Sequence, residues 1–341
     1  MDLLPNVARY FKANLHTHTN ISDGDLSPEE TAKLYRENGY QILCLTDHNI
    51  IVNHSDKNSE DFLLLTGVEI DLTDNQFYST NGYSGQSYHL LLIAKDANNL
   101  WQPIAPKPIV PKGRTTFLPY LPLIRHDTMR REHDLEAVNA MIARANEQGF
   151  LVAYCHPEWS GQRYPDYAGL KGLWAMELRN SGGATSMGMD MNNHLIYQDL
   201  LELGNRLCPL GGDDMHEAIY ALRAWIMVGA QQLTYASVIE ALKKGDFYTS
   251  CGPEIHSLTQ EDGKLTVTCS DAASICLYSQ CRFDKRIYAK PGQVLNGGEF
   301  DVTQWLEKSA DDPDAFLRVT VYAPDGTFAS TRAYWMNELK G

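Results

Sequence analysis

The chain has 341 residues, 43% of them apolar and 21% charged, which excludes a disordered protein and leaves room for one large domain with a smaller one. Its net charge of −14 disfavours a polymeric nucleic acid as partner, yet a small phosphorylated substrate stays open because bound cations reverse the field inside a pocket. The cysteines (Cys44, Cys155, Cys208, Cys251, Cys269, Cys276 and Cys281) form no CxxC pair, and no run approaches the roughly 20 apolar residues of a membrane span, so the expectation is a cytoplasmic protein with free thiols.

In chain order, residues 11–15 read as a strand that runs into His16-Thr17-His18. Ser27-Pro28-Glu29-Glu30 opens a helix with a capping box, and Gly39 ends it. A buried strand at 41–46 leads into Asp47-His48. Residues 98–131, rich in proline, read as a long loop over the active-site end, with Lys112, Arg114, Arg125 and His126 as candidates for a substrate lid. Leu135, Val138, Met141, Ile142 and Ala145 form a helix stripe that stops at Gly149, and the strand 150–155 follows, with His156-Pro157 at its end. A strand at 174–178 precedes Arg179-Asn180, and a helix lies near 194–203. The strand 206–210 then precedes Gly212-Asp213-Asp214-Met215-His216, followed by a strand at 224–228 and a helix at 235–244.

Alternating strands and helices imply a parallel sheet with helices outside, and polar residues past strand ends sit where an α/β barrel carries its chemistry. From Gly252 the pattern changes to strands at 264–269, 274–278, 316–322 and 328–335, with one helix at 302–309. The expected division is an α/β barrel over 1–252 and a small, all-β, sandwich-like domain over 253–341.

Six of the eleven histidines (His16, His18, His48, His89, His156 and His216) are expected beside strand ends, accompanied by Asp23, Asp47, Glu69, Asp213 and Asp214. Residues i and i+2 of a strand share a face, so His16 and His18 can meet one cation, and Asp214 with His216 repeats that spacing. Each residue alone is a weak signal; a lone His89 is more often a core residue than a ligand. Together they point to a metal site, because burying so many polar groups without one is costly. Imidazole with carboxylate suits Zn, Mn or Fe.

The segment Asn14-Leu15-His16-Thr17-His18-Thr19-Asn20-Ile21-Ser22-Asp23-Gly24 resembles the opening motif of the PHP (polymerase and histidinol phosphatase) superfamily. Leu45-Thr46-Asp47-His48-Asn49, Gly67-Val68-Glu69 with His89, Cys155-His156-Pro157 and Gly212-Asp213-Asp214-Met215-His216 are similar to its later motifs, in order. Residues 239–253 are similar to the stretch that closes the barrel in stand-alone members with a C-terminal β domain. The resemblance implies a distorted seven-stranded (β/α) barrel, TIM-like, and two to three divalent metals. It assigns His16, His18, Glu69 and Asp214 to the first metal. Glu69, His89 and His156 go to the second, and Asp23, His48 and His216 to a third that shares no ligand with the Glu69 pair. Asp23 departs from members with histidine there; as a harder oxygen ligand it turns the third site toward Mn or Mg.

The expected activity is a metal-dependent phosphoesterase that hydrolyses a phosphate monoester of a small metabolite (a nucleotide, nucleoside bisphosphate or histidinol phosphate) with a hydroxide bridging two metals. Arg179 and Asn180 are candidate phosphate contacts, and Asp47, His48 or His216 candidate proton donors to the leaving oxygen. The alternatives are a metal-dependent hydrolase of a non-phosphate bond and a non-catalytic, metal-stabilised binding protein.

Overall fold

The structure is a computed structural model that describes residues 1–73, 86–188, 193–280 and 284–339; Cys281 lies outside them. The elements up to the expected boundary are β1 (Phe11–Asn14), α1 (Pro28–Glu37), β2 (Ile42–Leu45), β3 (Leu63–Thr73), β4 (Ser87–Ala94), β5 (Trp101–Ile104), β6 (Arg125–Met129), α2 (Leu135–Glu147), β7 (Phe150–Tyr154), α3 (Tyr164–Tyr167), β8 (Ala175–Asn180), α4 (Ser181–Met187), α5 (His194–Glu202), β9 (Cys208–Gly212), β10 (Trp225–Val228), α6 (Tyr235–Lys244) and β11 (Phe247–Ser250). The capping box of α1 is present, with Ser27 accepting from Glu30 N and the Glu30 carboxylate from Ser27 N. No described helix is long and apolar enough to cross a membrane.

All of these strands except β5 and β6 join one large mixed sheet in the order β11-β10-β1-β2-β3-β4-β7-β8-β9. Pairing is parallel within β1-β2-β3 and β7-β8-β9, but antiparallel at β3-β4-β7 and at β1-β10-β11. The expectation of a parallel sheet is corrected at those two places. No described helix separates β3 from β4, and only a single 3-10 turn at Ala218–Tyr220 lies between β9 and β10, so neither link is an α-helical crossover. The loop expected at 98–131 is corrected as well, because it contains β5 and β6, paired in parallel. Past β9 the chain returns to the end of β1: Asp214 N donates to His16 O at 2.9 Å, and His18 N to Met215 O at 2.9 Å.

Period-two alternation sorts the side chains onto two buried faces. Leu91 and Ile93 of β4 meet Ala13, Cys44, Leu65, Ala153 and Leu210 on the inner face. Leu90 and Leu92 meet Val68, Ile70, Val152 and the α2 stripe Val138, Met141, Ile142 and Ala145 on the outer face. Glu69 continues the inner stripe of Leu63, Leu65 and Gly67, and His89 that of Ile93 and Leu91. The expectation that both lie beside strand ends is corrected: Glu69 and His89 sit within β3 and β4. β4 runs backwards, so its beginning shares the catalytic end with the later part of β3.

Beyond Gly252 come β12 (Ile255–Glu261), β13 (Lys264–Ala272), β14 (Ser274–Ser279), β15 (Lys285–Tyr288), β16 (Leu295–Asp301), α7 (Thr303–Lys308), β17 (Phe316–Tyr322), β18 (Phe328–Thr331), β19 (Tyr334–Trp335) and α8 (Met336–Leu339). β12, β13 and β16 form a separate sheet. β18 pairs with β11 through Tyr248↔Thr331, so the large sheet runs on past Gly252. The strand expected at 328–335 is broken between β18 and β19.

Gly67 shows how closely the inner face is packed. A Cβ there would stand 2.5 Å from Cys44 Sγ and 3.0 Å from Leu92 O. Gly67→Ala should therefore destabilise the chain by about 1–3 kcal/mol, the usual overpacking range. Denaturant unfolding reads this, and an unchanged midpoint would show that the strands separate freely at that point.

Candidate metal centre

Asn14, at the end of β1, builds the turn that presents the first two histidines. Its Oδ1 accepts from His16 N at 3.0 Å and from Thr17 Oγ1 at 3.0 Å, while its Nδ2 donates to Ala224 O at 3.2 Å. The Nε2 atoms of His16 and His18 then face each other at 3.3 Å. Gly24 lets the following loop fold back on them, since a Cβ there would come within 2.8 Å of the His18 carbonyl.

Glu69 is the hub. Its Oε1 stands 2.8 Å from His89 Nδ1, 3.1 Å from His156 Nε2 and 3.3 Å from His16 Nε2. Its Oε2 stands 3.1 Å from His48 Nδ1 and 3.2 Å from His18 Nε2. Asp214 Oδ1 adds contacts at 3.0 Å to His18 Nε2 and 3.3 Å to His16 Nε2. Asp23 closes the outer side, 3.4 Å from His216 Nε2 and 3.8 Å from His48 Nε2.

The geometry thus gathers all nine residues expected as ligands. His16, His18, Glu69 and Asp214 form one compact donor group, and His18, Asp23, His48 and His216 another. In one respect the expected partition is corrected: the Asp23 group is contiguous with the Glu69 group, because His18 and His48 border both acids. Two of the nine sit in the left-handed backbone region, His156 with φ 25° and Asp214 with φ 48°, a strain that packed surroundings must hold.

The donor set fits divalent cations. Glu69 Oε2, Asp214 Oδ1, His18 Nδ1 and His48 Nδ1 are buried without a hydrogen-bond partner, although acids and ring nitrogens crowd around them. Among the described residues no lysine or arginine pairs with Glu69, Asp214 or Asp23. Without metal, the charge must be balanced by protons on imidazole. Burial alone would lower His18, but Asp214 and Glu69 outweigh it and push the ring up to about 10. Burial likewise opposes His89, which Glu69 and Asp71 push up to about 10. Burial would raise Glu69, yet the charges on His16 and His89 hold it well below the usual carboxylate range. For His48 burial prevails and lowers the ring to about 3.

A surrounding layer fixes these ligands, and sequence reading missed its main member, Glu177. This fully buried acid of β8 accepts from His16 Nδ1 at 2.6 Å, His156 N at 3.0 Å and Asn180 Nδ2 at 3.0 Å. Gly212 leaves room for it, since a Cβ there would lie 2.7 Å from Glu177 Oε1. Its position inside a strand was the available signal: an acid in a buried run needs partners. Asp71, also missed, stands 3.3 Å from His89 Nε2.

Asn180, expected as a substrate contact, also supports a ligand. Its Nδ2 donates to Asp214 Oδ2 at 3.2 Å and its Oδ1 accepts from Gly183 N at 2.7 Å. Asp47 holds the loop that carries Asp23, its Oδ1 accepting from Thr19 N, Ser22 N and Ser22 Oγ and its Oδ2 from Thr19 Oγ1. Arg179 lines a cleft of about 690 Å³ with Ser181, Thr185, Arg223 and Trp225. Of the other lid candidates, Arg125 and His126 are exposed on β6, Lys112 is exposed, and Arg114 binds backbone.

Asp213 was grouped with the ligand acids but faces the other way. It accepts from Tyr35 OH, Ser181 Oγ and the backbone N of Leu222, Arg223 and Ala224. Asp213→Ala would strand these donors and should cost about 2–4 kcal/mol of stability, whereas Asp214→Ala should remove metal at smaller cost. Denaturant unfolding with metal analysis separates the two, and equal behaviour would refute the division.

The raised His18 and His89 are protonated at neutral pH in the metal-free chain, while a ligand imidazole must be neutral. Metal uptake should therefore release protons, and affinity should rise as pH climbs from neutrality toward 10. Calorimetric titration at pH 7 in buffers of different ionisation enthalpy measures the release; no released proton would contradict it.

Residues 14–104 match the family model of the PHP domain. No curated protein matches the sequence. Among solved structures, a two-domain protein from Bacteroides vulgatus, containing a predicted PHP-like metal-dependent phosphoesterase, is 15% identical with a TM-score of 0.43, over 98% of each chain. A protein from Bifidobacterium adolescentis, provisionally described as a metal-dependent phosphoesterase, is 16% identical with a TM-score of 0.37, over 63% of this chain and 89% of that one. A lesion-specific endonuclease from Pyrococcus furiosus is 12% identical with a TM-score of 0.41, over 69% of this chain and 56% of that one. The family match covers the His16, His18, Asp23, His48, Glu69 and His89 positions: over residues 14–104 this chain is similar to the PHP domain.

Proposed function

We propose that this chain is a metal-dependent phosphoesterase acting on a small phosphorylated metabolite, with its ligands carried on a distorted seven-stranded barrel and residues 253–341 as a supporting β domain. The observation that carries the reading is the convergence of five imidazoles on the two oxygens of Glu69, with Asp214 beside them. No candidate ligand group among the described residues includes one beyond 252. Divalent cations held there would supply positive charge to a phosphoryl group and activate a water as nucleophile.

The chain's own residues prepare that chemistry. Glu177 holds His16 through Nδ1, which leaves Nε2 for a cation, and Ser160 lies 3.2 Å from His156 Nδ1 to the same effect. Asn180 holds one oxygen of Asp214 and leaves the other facing His16 and His18. His216, 30% exposed, and Asp23, 25%, form the open rim, against 7% or less for the other five histidines; substrate enters on their side. His216 is then the residue placed to hand a proton from Nε2 to a leaving oxygen whenever that nitrogen is not a ligand. The cleft beside Arg179 is lined by none of the nine ligands and shares Ser181, Leu222 and Arg223 with Asp213, so the rim of Asp23 and His216 is our choice for the phosphate side. The net charge of −14 favours a small substrate over a polymeric nucleic acid.

The test is phosphate release from a panel of phosphorylated metabolites. Activity should vanish on chelation, return with Mn, Zn, Fe or Mg, and be lost in Glu69→Ala. Glu177→Gln should weaken metal affinity or activity about 10–100-fold by loosening His16. Full hydrolysis by the chelated protein would overturn the proposal.

A further inference from the structure

The segment between β5 and β6 fastens itself to the loops that bear the outer ligands. Arg114 Nη1 donates to Ser22 O at 2.9 Å and to Gly24 O at 2.7 Å. Those are the carbonyls of the residues on either side of Asp23. Thr116 Oγ1 donates to Asn20 O in the same loop. Just past β6, Arg131 Nη1 donates to Asn49 Oδ1 at 2.6 Å and Asp71 O at 2.7 Å, beside His48 and on the strand of Glu69. Asp47 grips the loop from within, through Thr19 and Ser22; Ser22 Oγ reaches Asp23 Oδ1 at 3.2 Å, and Gly24 N donates to Thr19 O at 3.0 Å, while the carbonyls of Ser22 and Gly24 are taken by Arg114.

We infer that Arg114 is a positioning residue for the outer cation site of Asp23, His48 and His216, acting through the backbone on either side of Asp23. Ser22 O lies in the peptide plane that precedes Asp23 and Gly24 O in the plane one residue further on, so the fork spans Asp23 and limits how its Cα–Cβ bond can turn, while Gly24 N in the plane between is held by Thr19 O at 3.0 Å. Asp23 is the ligand that most needs this, because its carboxylate is 25% exposed and lies 3.4 Å or more from its nearest histidine nitrogens. Arg114 has no ion pair with Asp23 among the described residues; its half-buried guanidinium serves the carbonyls instead. A guanidinium holds such a fork more rigidly than an ammonium. Arg114 therefore bears on the outer site, while His16, His156 and Asp214 are held separately by Glu177 and Asn180.

The inference rests on the metal centre proposed above, so its readout is metal and not turnover. Metal per chain is measured by elemental analysis after loading with Mn or Zn, and release of the loosest ion to a chelator is timed. Arg114→Ala should bind about one ion fewer, or lose its outer ion about 10–100-fold faster, with the remaining ions and the circular dichroism unchanged. Leu118→Ala, 50% exposed on the same segment, should match the wild type. Arg114→Gln, which keeps a donor for one carbonyl, should lie between, and it carries the test should the alanine variant not fold. Unchanged stoichiometry and release in both Arg114 variants would overturn the inference, as would loss of all ions together or an equal defect in Leu118→Ala. A wild type that binds metal but releases no phosphate would instead overturn the proposed function and leave this inference standing.

Discussion

The structure depends on one buried carboxylate. Glu69 is fully buried and its two oxygens are surrounded by five imidazoles, with no lysine or arginine paired to it among the described residues. An uncompensated carboxylate there would be intolerable. Positive charge must come from protons on the histidines or from bound cations, and only cations satisfy the lone pairs that face one another across the cluster. The acids push His18 and His89 well above the ordinary imidazole range, while burial drives His48 the other way.

That requirement propagates outward. His156 and Asp214 take left-handed backbone conformations, and Gly212 and Gly24 clear space for the acid and the loop behind them. Glu177 and Asn180 form a second layer that sets which atom each ligand turns inward. Asp213, next to a ligand in sequence, pins α1, the start of α4 and the start of β10 into one unit. Neighbouring acids in one motif thus divide the labour between metal and fold.

Much of the site was legible in the sequence because its ligands come in short motifs after apolar strands, where backbone periodicity dictates direction. His16 and His18 could be paired from spacing alone. What stayed hidden was tertiary. Glu69 and His89 sit within strands, and their meeting depends on an antiparallel pair whose reversal periodicity does not reveal. Which of Asp213 and Asp214 turns inward depends on a local backbone twist. Glu177 reads as one more residue of a buried strand, and Arg114 as an ordinary loop arginine, because their partners are distant in sequence. In the C-terminal part, β12, β15 and β16 escaped notice; β16 contains Asn296, Gly297 and Gly298, which read as turn residues.

The most direct measurement is anomalous diffraction from crystals of the metal-loaded protein, collected at the absorption edge of the loaded metal. The account predicts two peaks flanking the Glu69 carboxylate, each within coordination distance of one of its oxygens, and an outer peak beside Asp23. Peaks that leave Glu69 uncoordinated, or a fully loaded protein with no peak in this cluster, would contradict it.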